Sequence, residues 1–222
     1  GWALATAEAI MPLGDELNRA VRGGEILHSD DSTVDLLQPG KGKVHTARMW
    51  VYVKGGKDPP LVAFEFTLDR SGRHPNAFLA DSSGYLHADA YSGYDRLFAE
   101  NGDLVEVGCW AHARRKFDEA KTSRPGEACE ILGMIQLLYA VEKQCKGLPP
   151  EAVVQIRRER SVPQLDAIFA RLEVLQGSCL PSEPLATAIT YALHQREALY
   201  RYVEDGRVKI DTDTAENAIR PL

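Results

Sequence analysis

A chain of 222 residues that is 44% hydrophobic and 26% charged has the composition of an ordinary folded protein with a core, which excludes a disordered tail. Its formal net charge of -6 excludes nucleic-acid binding by bulk electrostatics, because neutralising phosphates takes clustered Lys and Arg, so any DNA contact has to be local. No signal peptide and no membrane-spanning apolar run is visible, and Cys109, Cys129, Cys145 and Cys179 fall at no paired spacing, so a reducing cytoplasm is the expected setting.

Residues 2 to 21 carry Trp2, Ile10, Leu13, Leu17 and Val21 at helical spacing, which predicts packing helices, with Pro12 opening a second piece and Gly23-Gly24 ending it. The chain starts without methionine inside this run and stops at Pro221-Leu222 just past another predicted helix, so a fragment of a longer protein is expected. Three β-rich runs follow: Glu25 to Val34, Ala47 to Val53 and Leu61 to Leu68. Short turns at Pro39 to Gly42 and Gly55 to Pro60 separate them, which predicts an antiparallel meander. A short helix over His74 to Ala80, a strand over Tyr85 to Ala88, a helix over Tyr94 to Glu100 and a strand over Leu104 to Cys109 come next. From Trp110 to about Asp205 the pattern is helical, broken at Pro125-Gly126, Gly147 to Pro150 and Gly177 to Pro181. Strands early and helices late predict a mixed sheet covered by helices, with a helical block inserted before the last element of the core.

Carboxylates in three stretches stand out along this layout. Asp89, in YLHADAYSGYD, sits where a strand gives out into a glycine-containing turn, so it either bonds turn amides or ligates a metal. Asp30 and Asp31 are adjacent on a strand and face opposite ways, so only one of them shares a face with Asp89. Glu216 closes the run Asp213-Thr214-Ala215-Glu216, which has capping-box spacing, and Arg220 lies one helical turn on, where it can pair with Glu216. The other use of Glu216 is to converge with Asp30 and Asp89 on two Mg²⁺ (or Mn²⁺) ions, since hard cations take oxygen ligands. Without a cation, converging carboxylates repel and raise one another's pKa values.

Other polar groups read more plainly. Cys109 and His112 lack a partner pair for zinc and suit packing at a strand-to-helix junction. His28 and His87 each precede an aspartate by two residues on the same strand face, as packed side chains or outer partners of a site. Tyr91 and Tyr94 fit either core packing or DNA backbone contact, while Trp50 and Tyr52 belong to the sheet. The basic clusters Arg114-Arg115-Lys116, Arg157-Arg158-Arg160 and Arg196, Arg201, Arg207 each read as solvated helix faces, the first also as a phosphate contact.

Five stretches in order, LHSDDSTV, ARMWVYV, YLHADAYSGYD, GCWAHARRKF and DTDTAENAIRPL, resemble the bacterial transposases of the insertion sequence 66 family. The likeness spans nearly the whole chain and is most specific in GCWAHARRKF and AENAIRPL. It implies an α/β fold with a ribonuclease H-like mixed five-stranded sheet, and metal-dependent cleavage of the ends of a mobile element followed by joining of the freed 3′-hydroxyl to target DNA. It puts the catalytic and metal-binding triad on Asp30, Asp89 and Glu216, with DNA contacts at Arg114, Arg115, Lys116 and Arg220 and a homo-oligomer on DNA. Departures are Asp31, where the family pattern has Glu; Asp211-Thr212-Asp213, where it has Asp-Asn-Asn; and Asn217, where Arg commonly follows the Glu.

The expected domain plan is packing helices over 1–24, a core of 25–111 with 206–222, and a helical insertion over 112–205. Two other functions stay open on sequence: an inactive remnant that only binds DNA or protein, and a stand-alone metal-dependent nuclease.

Overall fold

The computed structural model describes residues 1–37, 42, 44–56 and 60–219, and of Ala3 and Glu216 only the backbone. Three antiparallel strands, β1 (Ile26–Leu37), β2 (Val44–Lys54) and β3 (Leu61–Thr67), form the meander that the apolar alternation predicts. β1 and β2 run longer than their apolar stretches, because the ladder pairs Leu37 with Val44 beyond the last buried residues. β4 (Gly84–His87) then adds parallel to β1, and β5 (Leu104–Val107) lies beyond it, giving the order β3-β2-β1-β4-β5. This mixed sheet flanked by helices is consistent with a ribonuclease H-like core. Gly84 is required at the entry to β4: its φ is +88°, and a Cβ there would sit 2.3 Å from the Glu25 carbonyl oxygen.

The chain divides into two compact units, one of Gly1–Val105 with the segment from Asp213 onward, the other of Glu106–Thr212. In the first, strand alternation sorts side chains onto two sheet faces. One face of β1 and β2 carries Leu27, Trp50 and Tyr52 into a core with Leu79, Leu86, Tyr94, Leu97 and Leu104. Helices α2 (Arg73–Leu79) and α3 (Asp95–Glu100) supply part of that core. Trp50 satisfies its indole by donating to Thr67 Oγ1 at 3.0 Å, and Tyr52 donates to Glu65 Oε2 at 3.0 Å. The opposite face carries Val51 and Val53, which pack with Ala215 on the helix that closes the described chain.

The amino-terminal helix α1 (Trp2–Arg22) departs from expectation twice. It is one helix with Pro12 inside, and its apolar residues Trp2, Ile10 and Leu13 are exposed, with Val21 the residue that enters the core. Proline removes one helical hydrogen bond, and on an exposed helix the freed carbonyl can be hydrated, so the chain need not break there.

The second unit is helical, built from α4 (Trp110–Ala120), α5 (Pro125–Cys145), α6 (Pro150–Ile156), α7 (Val162–Gln176), α8 (Pro184–His194) and α9 (Arg196–Tyr200). Prolines in the first turns of α5, α6 and α8 explain where these helices start, since a missing N–H costs nothing there, whereas α7 continues from α6 through a π-helical turn over Arg157–Ser161, so Pro163 lies inside a continuous helical run. Its entering and leaving segments are tied together: Trp110 N–H donates to the Ile210 carbonyl at 3.1 Å, and the Trp110 indole donates to the Leu199 carbonyl at 2.9 Å.

Candidate functional site

The parallel ladder between β1 and β4 pairs Ile26 with Tyr85, Leu27 with Leu86 and His28 with His87. The imidazoles of His28 and His87 are buried and stack face to face, with centroids 5.2 Å apart and planes within 3°. These two histidines are therefore packed side chains on one sheet face. Asp30 and Asp89 each follow two residues later on these neighbouring chain segments.

Asp30 pairs with Val51 across the antiparallel ladder, and directly opposed residues share a face. That is the face on which α10 (Asp213–Ile219) seats Ala215, with Ala218 and Ile219 beside it, against Val51, Val53 and Val62. Glu216 is thus on a helix lying over the Asp30 face of the sheet; its side chain lies outside the described residues, as does Arg220. The helix starts at Asp213 itself, so the capping-box spacing begins inside the helix. Asp30 Oδ1 accepts the Asp31 N–H at 2.8 Å.

Asp31 pairs with Trp50, on the other face, as adjacent strand residues must. Its side chain is only 3% exposed and carries two cations: Arg48 Nη1 donates to Oδ2 at 2.9 Å, and Arg70 donates through Nε and Nη2 to Oδ1 at 3.0 and 2.8 Å. A buried carboxylate needs such partners. Arg70 then reaches further, donating from Nη2 to Asp89 Oδ2 at 3.3 Å. Asp89, 26% exposed, also accepts the Tyr91 N–H on Oδ1 at 3.3 Å, so it does bond a turn amide. Burial works to lower the Arg70 pKa, but the hydrogen bonds and charge of Asp31, with the charge of Asp89, hold the guanidinium above its usual value.

Among the described residues no three His, Cys, Asp or Glu side chains form a group able to hold a metal ion, a description that does not include the Glu216 side chain. The donors on this part of the sheet are carboxylate oxygens, a donor set suited to Mg²⁺ or Mn²⁺ rather than zinc.

A family model described as Transposase IS66 family matches residues 1–222. The chain belongs to the IS66 family of transposases. Three proteins of Sinorhizobium fredii (strain NGR234) are similar to it: uncharacterized protein y4qI at 35% identity over 94% of this chain, y4jD at 30% over 100%, and y4hP at 31% over 100%. The chain covers 41%, 45% and 43% of those proteins, so it spans less than half the length of each.

Against that family's pattern, the Asp31 departure falls on the buried, doubly paired side chain, and Asn217 is exposed on α10. Arg114 and Arg115 are exposed on the IS66 chain's α4, while Lys116 lies over the Tyr191 ring at 4.7 Å. Cys109 precedes α4 and accepts the Thr212 N–H on Sγ at 3.4 Å; burial pushes its thiol up to about 11 despite that bond and those from the His112 and Ala111 amides. Tyr94 is buried and hydrogen-bonded to Ser29 Oγ at 2.8 Å, which makes it a core residue. Tyr91 donates its hydroxyl to the Arg70 carbonyl. Among the described residues no helix is long and apolar enough to cross a membrane.

Sequence reasoning missed Arg70. The available signal was Asp31 itself: on the Trp50 face of a central strand its carboxylate needs a cation, and Asp69-Arg70 follows the end of β3.

Proposed function

We propose that this chain is the catalytic core of a DDE transposase, which cleaves DNA at the ends of an insertion sequence and joins the freed 3′-hydroxyl to target DNA. One observation carries the reading: Asp30 and Asp89 each lie two residues past the stacked His28–His87 pair on neighbouring parallel segments, and Glu216 rides a helix seated on the Asp30 face. In this reading Asp30 and Asp89 would hold one Mg²⁺ or Mn²⁺ between them and Glu216 would complete a second site. When bound, two such ions activate the attacking oxygen and stabilise the leaving oxygen of an in-line phosphoryl transfer.

The chain's own part is to hold three carboxylates on separate elements and to bind the DNA backbone. Arg114, Arg115, Lys116 and Arg220 are assigned to phosphates, which position DNA without reading its sequence. A homo-oligomer on DNA, working in the cytoplasm, completes the proposal, because two transposon ends must be handled together.

Asn217, exposed where the family commonly has Arg, favours a second reading, a non-catalytic remnant that binds DNA or protein. One experiment separates them: a protein containing this chain is incubated with DNA carrying the element's own termini, with Mn²⁺ and beside an Asp89→Asn variant. Cleavage and joining that both vanish in the variant support the transposase; cleavage without joining indicates a nuclease; neither reaction indicates the remnant.

A further inference from the structure

Asp31 and Asp89 come from different chain segments yet share one guanidinium. Arg70, on the loop between β3 and α2, is held from several directions: its fork grips Asp31, its Cζ lies 4.2 Å from the Tyr91 ring centroid, and its carbonyl takes the Tyr91 hydroxyl. Asp31 is fixed in turn by Arg48 on β2. Behind this contact the two loops touch backbone to backbone, since a Cβ at Gly72 would lie 2.4 Å from the Gly93 carbonyl oxygen.

We propose that Arg70 is a positioning residue for Asp89, with Asp31 as its anchor. The proposal rests on the reading of Asp89 as a metal ligand. Among the described residues, Asp89, past the end of its strand, has besides Arg70 one long bond to a turn amide, which does not fix a carboxylate to the half-ångström that a metal site requires. The guanidinium supplies the missing restraint on Oδ2. A carboxylate offers about four acceptor positions, so bonds to Arg70 and Tyr91 leave room for a cation. Because Asp31 takes most of the fork and its charge, Arg70 gives Asp89 direction more than it competes with a metal. Outer partners of ligating carboxylates typically contribute about 10- to 100-fold in metal affinity.

The test is a Mn²⁺ titration of this chain followed by electron paramagnetic resonance, with circular dichroism to confirm folding. The variants are Arg70→Ala, Arg70→Lys, Asp31→Asn, the Arg70→Ala/Asp31→Asn double and Asp89→Asn. Wild type should bind through Asp89, and Arg70→Ala should bind about 10- to 100-fold more weakly. Arg70→Lys, which keeps the charge and the fold but cannot span both carboxylates, should recover little of that loss. The double variant should be no weaker than Arg70→Ala alone, because Asp31 acts through Arg70. Binding by folded Arg70 variants that equals or exceeds wild type, or additive losses in the double, overturns the positioning role while leaving Asp89 a ligand. Absence of wild-type binding, or binding indifferent to Asp89→Asn, overturns the metal reading and the positioning role with it.

Discussion

Replacing Ala215 by Leu tests whether the helix that carries Glu216 is seated on the sheet. Ala215 is fully buried between α10 and the Val51–Val53 face, so leucine forces an isopropyl group into space already filled by those valines and by Val62. Overpacking a well-filled site costs about 1–3 kcal/mol. For a chain of this length each kcal/mol lowers the melting temperature by about 2–4 °C, so a loss of 2 kcal/mol lowers it by about 4–8 °C. Asn217→Ala, on the exposed side of the same helix, should stay within about 0.5 kcal/mol of wild type. Thermal unfolding followed by circular dichroism reads both. If Ala215→Leu melts with wild type, α10 does not pack on Val51 and Val53, and the placement of Glu216 over Asp30 fails.

Two further outcomes are expected. Arg114→Ala/Arg115→Ala should weaken DNA binding for all sequences alike and reduce the slope of log affinity against log salt by about 2, measured by fluorescence anisotropy over a salt series; an unchanged slope removes these arginines from the DNA contact. In the folded chain the exposed Cys129 should be alkylated at pH 8–9 well before Cys109, whose buried thiol holds its proton to about 11. Since folding raises the Cys109 pKa above its ordinary 9.0, losing that proton favours the unfolded chain, and stability should fall as pH rises from about 9 through 11. Equal labelling of the two cysteines in native protein contradicts the burial of Cys109.

Much of the first unit was legible because its signals are local. Alternation in ILHSDDSTV and ARMWVYV, with glycine-containing turns between strands, specifies both the meander and which side of Asp30 faces away from Trp50. The helical block was legible from its prolines and period. What sequence could not supply was the surface each stripe meets: Trp2, Ile10 and Leu13 have helical spacing, but nothing in spacing says that they stay exposed. The Arg70 bridge was hidden for the same reason. It joins Asp31, Arg70 and Asp89 across 19 and 39 residues of chain, and only the parallel addition of β4 beside β1 brings their segments together.

The most direct test of the central claim is thermal unfolding of this chain with and without Mn²⁺, beside Asp30→Asn, Asp89→Asn and Glu216→Gln. A ligand that binds only the native state at about 100 times its Kd adds about 2.7 kcal/mol. The account predicts a rise of about 5–11 °C in wild type, reduced or lost in each of the three variants. No rise in wild type, or a rise that survives all three substitutions, contradicts a metal site built from Asp30, Asp89 and Glu216.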